Sequence, residues 1–308
     1  MEKRKIGSSQ LESSILGLGC MSIGKDDYKA QSIIEAALEG GITYFDTADL
    51  YDFGVNEKLV GKTLKGVRDE VVIASKVGNR WEDGRDDWTW DPSKEYITEQ
   101  VKNSLKRLEV DYIDLYQLHG GTLEDPIDET IEAFEQLKSQ GYIKEYGISS
   151  IRPNVIKEYA EKSGMVSNMM QYSLLDRRPE EQAFPILNEH SVSAITRGPL
   201  AKGLLSEKLL SKASEKIKED GYLHYTYEAL EYTLDTLHQK FKDSRSMNEV
   251  ALKFNAANPL VASIIAGASS PDQVRSNIEA IAGDPLTEAE YELLKEITNN
   301  KGYTEHRL

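Results

Sequence analysis

The chain is predicted to fold as an α/β protein of the TIM-barrel class, in which parallel strands alternate with helices. Two features predict this fold: strand-length apolar runs alternate with longer segments of helical period, and the apolar runs number eight. A length of 308 residues suits one such barrel, and no Gly/Ser-rich or Pro-rich linker divides the chain. We therefore expect a single (β/α)8 barrel domain over residues 1–308.

Each of the eight runs has the length and apolar content of a β-strand. A (β/α)8 barrel needs eight strands with a helix after each, so this number favours a closed barrel over an open sheet. In chain order the predicted strands are SILGLG (14–19), ITYFD (42–46), VVIAS (71–75), DYIDLYQL (111–118), EYGIS (145–149), SNMMQY (167–172), VSAIT (192–196) and ASIIAG (262–267).

Amphipathic segments between these runs are predicted to be helices. Residues 28–41 and 128–141 are examples, and both end on glycine, which commonly follows the last residue of a helix. Two segments depart from the simple repeat. Residues 204–242 are charged and rich in tyrosine, and residues 286–297 have a further helical pattern. We therefore expect extended loops at the C-terminal face of the barrel and an extra C-terminal helix.

The composition excludes several classes of partner. Lys and Arg total 37 against 52 Asp and Glu, and the formal charge of −15 disfavours binding to nucleic acid or to anionic membranes. The first 14 residues lack the apolar core of a signal peptide, and no stretch approaches the roughly 20 apolar residues of a membrane span. The one cysteine, Cys20, fits a reducing compartment. We expect a cytoplasmic protein with a small-molecule substrate, and the oligomeric state stays open.

Four polar residues stand at or just past the ends of predicted strands: Asp46, Tyr51, Lys76 and His119. Side chains at the carboxyl ends of barrel strands share one mouth, where barrel enzymes place their active sites. Tyr51 is a candidate general acid for a carbonyl oxygen, and Lys76 is expected to lower the pKa of its phenol from about 10. Asp46 would hold the ammonium group of Lys76, and His119 would orient the carbonyl. None is a good nucleophile, so we expect protonation of a polarised oxygen, with hydride arriving from elsewhere.

Three other enzyme classes explain these residues less well. The segment 17–24 (GLGCMSIG) resembles a dinucleotide-binding G-x-G-x-x-G motif, but Ser22 occupies the third glycine position, and a Rossmann fold assigns no role to Lys76 or His119. The one Tyr-x-x-x-Lys of the short-chain dehydrogenase type, Tyr291 to Lys295, lies in the terminal amphipathic segment. The five histidines form no His-x-His pair, as a metal-dependent barrel hydrolase would favour.

The motifs that carry these residues resemble the aldo-keto reductase family. The resemblance runs through residues 40–64 (GGITYFDTADLYDFGVNEKLVGKTL), 71–76 (VVIASK), 103–119 (NSLKRLEVDYIDLYQLH) and 267–277 (GASSPDQVRSN). It implies that Asp46, Tyr51, Lys76 and His119 form a catalytic tetrad that reduces aldehydes or ketones with hydride from NADPH. The alternative is a cofactor-loaded redox sensor or regulatory subunit, since potassium-channel beta subunits share this scaffold.

The same resemblance implies a set of cofactor contacts. NADPH is the expected cofactor, with NADH less favoured, and Arg275 is either a partner for the adenosine 2′-phosphate or a solvated helix residue. The implied contacts are Cys20, Met21 and Asp46 near the reacting end, Arg197 at the nicotinamide ring, Ser149, Ser150 and Gln171 at the carboxamide, Gly198, Pro199, Leu200, Ala201 and Lys208 over the pyrophosphate, and Gly267, Ser269, Gln273, Ser276 and Asn277 at the adenosine.

Three positions differ from common members of this family. Gly120 and Gly121 follow His119 where many relatives have bulkier residues, which removes a wall of the substrate pocket. Ser150 replaces an asparagine and has a shorter reach, so a water molecule is expected to bridge to the carboxamide. Arg197 replaces an aromatic residue and is expected to stack on the nicotinamide, where its charge disfavours the oxidised ring.

The chain's three tryptophans all lie in residues 80–92, shortly after Lys76. A loop with three aromatic side chains on the active face could replace the missing wall and bind an apolar substrate. Packing of the loop onto the barrel explains them equally well, because buried indoles commonly anchor long loops. The candidate substrate contacts are Trp81, Trp88 and Trp90.

Overall fold

The structure is a computed structural model that describes residues 1–82, 84–85 and 87–308. Its strands alternate with helices along most of the chain. In these ranges the strands are β1 (Lys3–Lys5), β2 (Glu12–Ser14), β3 (Leu16–Gly19), β4 (Tyr44–Asp46), β5 (Val72–Val77), β6 (Asn79–Arg80), β7 (Thr89–Trp90), β8 (Ile113–Leu118), β9 (Ile143–Ser149), β10 (Ser167–Gln171), β11 (Ser193–Arg197) and β12 (Val261–Gly267).

Eight of these strands close into a parallel barrel in the order β3-β4-β5-β8-β9-β10-β11-β12. The barrel closes where β12 pairs with β3, so that Ile265 lies opposite Gly17 and Gly267 opposite Gly19. Each apolar run identified in the sequence contributes one barrel strand, and the predicted TIM barrel is confirmed.

Helices cover the outside of the barrel. Gly41 and Gly141, the predicted ends of two helices, adopt left-handed conformations with φ of +81° and +80°, which glycine enters without steric cost. No helix in the described ranges is both long and apolar enough to cross a membrane. The helices are α1 (Asp27–Glu39), α2 (Val55–Leu64), α3 (Lys94–Leu108), α4 (Ile127–Ser139), α5 (Pro153–Lys162), α6 (Ala183–Glu189), α7 (Glu215–Asp220), α8 (Tyr227–Phe241), α9 (Met247–Ala257), α10 (Pro271–Ala282) and α11 (Glu288–Ile297).

Two additions to the barrel occur where the sequence indicated them. The insertion after β11 contains α7 and α8, and the extra C-terminal helix is α11. Helix α11 begins with a capping box in which Thr287 and Glu290 bond each other's backbone N–H groups. This cap explains why the helix starts at Glu288.

An N-terminal hairpin, β1–β2, is a feature that the apolar pattern did not predict. Its strands pair in antiparallel fashion, and Ile6 at its turn is fully buried with residues of the barrel interior such as Tyr44, Leu115 and Ile195. The hairpin strands, KRK and ESS, contain no apolar residue, so the alternation that normally marks a strand is absent. The hairpin covers the barrel at the end opposite the C-terminal face.

Candidate active site

Asp46, Tyr51, Lys76 and His119 lie at the carboxyl ends of three neighbouring barrel strands. Asp46 ends β4, Lys76 is the penultimate residue of β5, and His119 directly follows β8. Tyr51 opens the short helical turn Tyr51–Gly54. Because these strands are adjacent and parallel, their carboxyl ends bring all four side chains to one face of the barrel.

The ammonium group of Lys76 connects two of the other residues. Its Nζ donates hydrogen bonds to Asp46 Oδ1 at 2.6 Å, to the Thr47 backbone oxygen at 2.8 Å and to the Tyr51 hydroxyl oxygen at 3.2 Å. An ammonium group has three donors, and each has an acceptor here. Since Lys76 occupies one lone pair of the Tyr51 oxygen, the phenolic O–H is free to donate elsewhere.

Lys76 and Asp46 are a buried ion pair, with 1% and 3% of their surfaces exposed. Burial raises the pKa of Asp46, and Lys76 opposes that rise. Burial lowers the pKa of Lys76, but Asp46 and Tyr51 outweigh it and the net shift is upward. Lys76 therefore keeps its proton at neutral pH, because its charge is compensated at short range.

The pKa of Tyr51 moves in the direction opposite to the one expected from the sequence. Burial raises the pKa of its phenol, and the nearby charge of Lys76 reduces this rise without reversing it. The sequence showed the cation but gave no measure of burial, which disfavours the charged phenolate. Tyr51 is consequently protonated before reaction, and Lys76 lowers the cost of its losing that proton.

His119 is a neutral imidazole at physiological pH. Burial lowers its pKa to about 3, and the charges of Lys76 and Arg197 act in the same direction. Its ring lies edge-on to Tyr51, with 6.0 Å between the ring centroids and 80° between the planes. Nδ1 is buried and has no hydrogen-bond partner among the described residues. A neutral imidazole offers one donor and one acceptor, so His119 can orient a carbonyl without adding charge.

The four residues share a cavity of about 980 Å³ with most of the predicted cofactor contacts. Its volume is at the upper end of the range for small-molecule sites, about 300–1,000 Å³. Asp46 lines the cavity, and its Oδ2 is a buried oxygen without a partner among the described residues. The predicted contacts in its wall are Met21, Asp46, Ser149, Gln171, Arg197, Gly198, Pro199, Leu200, Lys208, Gly267, Gln273, Ser276 and Asn277.

Comparison with known proteins identifies the family. The model of the Aldo/keto reductase family matches residues 15–299, nearly the whole chain. The chain belongs to the aldo/keto reductase family. It is therefore an oxidoreductase, and the resemblance read from the sequence motifs is confirmed.

Two relatives and one solved structure illustrate how similar this aldo/keto reductase is to known proteins. It is 55% identical over 307 residues to "Uncharacterized oxidoreductase YqkF" of Bacillus subtilis (strain 168), covering 100% of each chain. It is 30% identical over 321 residues to the "NADH-specific methylglyoxal reductase" of Escherichia coli (strain K12), covering 96% of this chain and 98% of the relative. The holo form of aldo-keto reductase AKR11C1 from Bacillus halodurans superposes with a TM-score of 0.94 at 53% identity, covering 100% of each chain.

Four predicted cofactor contacts of this aldo/keto reductase lie outside the described cavity wall. Cys20 is fully buried, and its backbone oxygen accepts a hydrogen bond from Asn56 Nδ2 at 2.8 Å. Ser150 is buried, and its hydroxyl oxygen accepts from the Arg152 N–H; the water-bridged contact expected for it stays a prediction. Ala201 is buried as well, and Ser269 bonds the side chain of Gln273. The contacts of these four residues with a cofactor stay predictions.

None of the three tryptophans lies in the cavity wall as the structure describes it. Trp90 is partly buried and donates from Nε1 to Asp125 Oδ1 at 2.9 Å. Trp81 packs edge-on against Phe53, with 5.6 Å between the ring centroids, and Trp88 is 50% exposed. Trp90 lies against Gly120, so packing of the loop fills the space beside that glycine.

Arg197 is exposed and lines the cavity. Its Nη1 lies 3.4 Å from Gln171 Oε1, and Gln171 Nε2 lies 3.4 Å from the hydroxyl of Tyr222. Arg275, in contrast, pairs with Asp272 at 3.1 Å and is absent from the described cavity wall. Arg197, expected at the nicotinamide, thus lines the cavity. Arg275, considered for the adenosine 2′-phosphate, is not part of the described cavity wall.

Several residues of the cavity wall were not identified from the sequence. Lys202 and Lys212 add positive charge beside Lys208, and Tyr222 and Asn248 come from the insertion and from α9. Lys202 lies between the predicted contacts Ala201 and Lys208, so its charge could have been recognised from the sequence. Tyr222 and Asn248 carried none, because only folding of the insertion against the barrel brings them to the cavity.

Proposed function

We propose that this enzyme reduces the carbonyl group of an aldehyde or ketone to an alcohol, with NADPH as cofactor and Tyr51 as the proton donor. The observation that carries this proposal is the contact of Lys76 with both Asp46 and Tyr51 inside a large cavity. A protonated phenol beside a charged ammonium group is suited to protonating an oxygen that gains negative charge.

Each of the four residues has a distinct part in this proposal. Tyr51 donates its proton to the carbonyl oxygen, and Lys76 stabilises the phenolate that remains. Asp46 fixes the ammonium group and keeps it charged within the barrel. His119, neutral at the working pH, holds the carbonyl oxygen in place by a hydrogen bond.

The cavity suits a nicotinamide dinucleotide. When bound, NADPH supplies the hydride. Ser149 and Gln171 offer the donors and acceptors that a carboxamide requires, and Gly198, with φ of +67°, lets the backbone approach the phosphates closely. Gln273, in the first turn of α10, and Asn277, one turn later, would hold the adenosine.

A preference for NADPH over NADH is implied by the resemblance to the family. The charge of the cavity supports a phosphorylated cofactor of either kind, because Lys202, Lys208 and Lys212 line it together with the acidic Glu207 in a chain whose formal charge is −15. The NADH-specific reductase of Escherichia coli shows that a relative has the other preference, which makes the cofactor a necessary part of the test.

The decisive variant is Tyr51→Phe. We expect turnover to fall by roughly 100- to 10,000-fold, because the acid is lost while the ring keeps its packing beside Lys76. The affinity for NADPH, measured by quenching of its fluorescence, should stay nearly unchanged. Activity should be measured with NADPH and NADH on small aldehydes, aromatic aldehydes, methylglyoxal and pyridoxal.

Tyr232→Phe is the matched control, since Tyr232 is 75% exposed on α8 and removal of its hydroxyl should leave turnover intact. Unchanged turnover in Tyr51→Phe would contradict the role given to Tyr51. Cofactor binding by the wild type without reduction of any carbonyl would instead favour a sensor or regulatory subunit.

A further inference from the structure

The loop between β5 and α3 contacts both of the other loops that carry catalytic candidates. This loop follows Lys76. Two of its tryptophans pack against residues that follow His119 and Tyr51 in the chain. Trp90 packs beside Gly120, which follows His119, and Trp81 packs beside Phe53 and Gly54, which follow Tyr51. Neither indole lies in the described cavity wall.

Trp90 sits in a slot formed by two glycines. A Cβ atom on Gly78 would lie 2.6 Å from Trp90 Cζ3, and one on Gly120 would lie 3.2 Å from Trp90 Cη2. Both glycines have positive φ, +124° and +151°. Gly78 follows the strand of Lys76 and Gly120 follows His119, so the indole is wedged between the ends of β5 and β8. A bulky residue at position 120 would exclude this indole.

Hydrogen bonds fix the indole and the loop after β8 to each other. Asp125 accepts from Trp90 Nε1 at 2.9 Å, from the Thr122 N–H at 2.7 Å and from the Thr122 hydroxyl at 3.0 Å. The Thr130 hydroxyl of α4 donates to the Pro92 oxygen at 2.8 Å. Through these contacts, the segment that begins at His119 is held by Trp90 and its neighbours.

Trp81 has the corresponding position beside the turn of Tyr51. Its ring meets Phe53 edge-on, and a Cβ atom on Gly54 would lie 3.4 Å from its Cζ2. Arg107 of α3 lies on the same ring, with its Cζ 5.7 Å from the centroid. Phe53 has a φ of +51°, a conformation that costs free energy for a non-glycine residue and requires support from its surroundings.

We propose that Trp90 and Trp81 are positioning residues, which hold the His119 loop and the Tyr51 turn for the reaction, and that they do not contact the substrate. The inference rests on the proposed function, since it assigns a purpose to the geometry of His119 and Tyr51. The sequence suggested that these two indoles contact the substrate, and the proposal assigns them a packing role instead. Packing of Trp90 also explains why position 120 is glycine.

The test compares Trp90→Ala, Trp90→Phe and Trp81→Ala in the full-length enzyme. Displacement of a reacting group by about 1 Å can cost roughly 100-fold in rate, so we expect kcat to fall roughly 10- to 100-fold in the two alanine variants. The fall should be equal for small and large aldehydes, with KM and the NADPH dissociation constant little changed. Trp90→Phe should recover part of the loss, because its ring refills part of the slot.

Tyr28→Ala is the control, since Tyr28 is 83% exposed on α1 and is not part of the described cavity wall, and its kcat should equal that of wild type. If Trp90→Ala does not fold, as judged by its melting temperature, Asp125→Ala removes the carboxylate that accepts from the indole N–H while leaving the indole itself in place, and it should also lower kcat.

Two results would overturn the inference: an unchanged kcat in the folded alanine variants, or a loss that depends on substrate size, which would mark a substrate contact. A wild-type enzyme that reduces no carbonyl at all would defeat the proposed function and this inference together. Wild-type turnover with equally active variants would defeat the inference alone.

Discussion

Tyr51 and His119 share one cavity, yet their pKa values move in opposite directions. Burial favours the neutral form of every group: it raises the pKa of the phenol, which is neutral with its proton, and lowers that of the imidazole, which is neutral without it. Lys76 opposes the first shift and reinforces the second. Before reaction, the site therefore combines a protonated phenol, a neutral imidazole and one compensated ion pair.

Arg197 is one of several cations that line this cavity, and its effect on the cofactor is testable at the scale of one residue. A cation beside the ring disfavours the oxidised, positively charged nicotinamide. We expect Arg197→Tyr to strengthen the binding of NADP⁺ relative to NADPH by about fivefold, the effect of roughly 1 kcal/mol for a solvated charge pair. Titration of each form by calorimetry measures the ratio.

Arg197→Lys is the matched control, because it keeps the charge and should leave that ratio close to the wild-type value. An unchanged ratio in Arg197→Tyr would show that the guanidinium does not act on the ring through its charge.

The first turn of α2 connects the elements that surround the site. Asn56 is fully buried: its Oδ1 accepts from the Thr47 hydroxyl at 2.7 Å, and its Nδ2 donates to the Cys20 oxygen at 2.8 Å. Thr47 also supplies the backbone oxygen that Lys76 binds. The next residue, Glu57, accepts from Ser75 Oγ and pairs with Arg107. One helical turn thereby joins β3, β4, β5 and α3.

Removal of the Asn56 amide should be costly, because it leaves a buried hydroxyl and a buried carbonyl without partners. We expect Asn56→Ala to lower the free energy of unfolding by about 1–3 kcal/mol for each group left unsatisfied. Urea unfolding followed by circular dichroism measures the change. Asn188→Ala, on the exposed surface of α6, should change stability by less than about 0.5 kcal/mol. A similar, small effect in both variants would mean that α2 is held by other contacts.

At the scale of the whole molecule, closure of the barrel determines which charged side chains come together in the cavity. Residues from Gly19 to Asn277 line one cavity because every barrel strand ends at the same face. The chain as a whole is strongly acidic, yet lysines of the insertion loop face this cavity. Overall charge thus disfavours polyanionic partners, while the cavity retains positive charge for a small phosphorylated ligand.

Binding of the cofactor should therefore stabilise the entire fold. At about 100 times its dissociation constant, NADPH should raise the free energy of unfolding by about 2.7 kcal/mol, because it binds the native state alone. NADH at the same concentration should stabilise less, since it lacks the 2′-phosphate. Thermal unfolding at matched concentrations makes the comparison, and equal stabilisation by both would contradict the NADPH preference.

The positions of the reactive residues could be predicted because they depend on patterns along the chain. Asp46, Lys76 and His119 each close an apolar run, and parallel strands in a barrel end at one face. The extra helix α11 was likewise visible from its periodicity. The hairpin β1–β2 was not, because its polar strands carry no such pattern.

The sequence by itself determined the barrel, its strand order and the convergence of Asp46, Tyr51, Lys76 and His119, because these follow from hydrophobic periodicity and strand ends. Only the tertiary structure decided which way side chains face and how deeply they are buried. It buried Ser150 with its hydroxyl bonded to the Arg152 N–H, packed Trp90 against Gly120, and raised the pKa of Tyr51 where the neighbouring cation alone suggested a decrease. Burial is a sum over contacts from distant parts of the chain, and no local pattern encodes that sum.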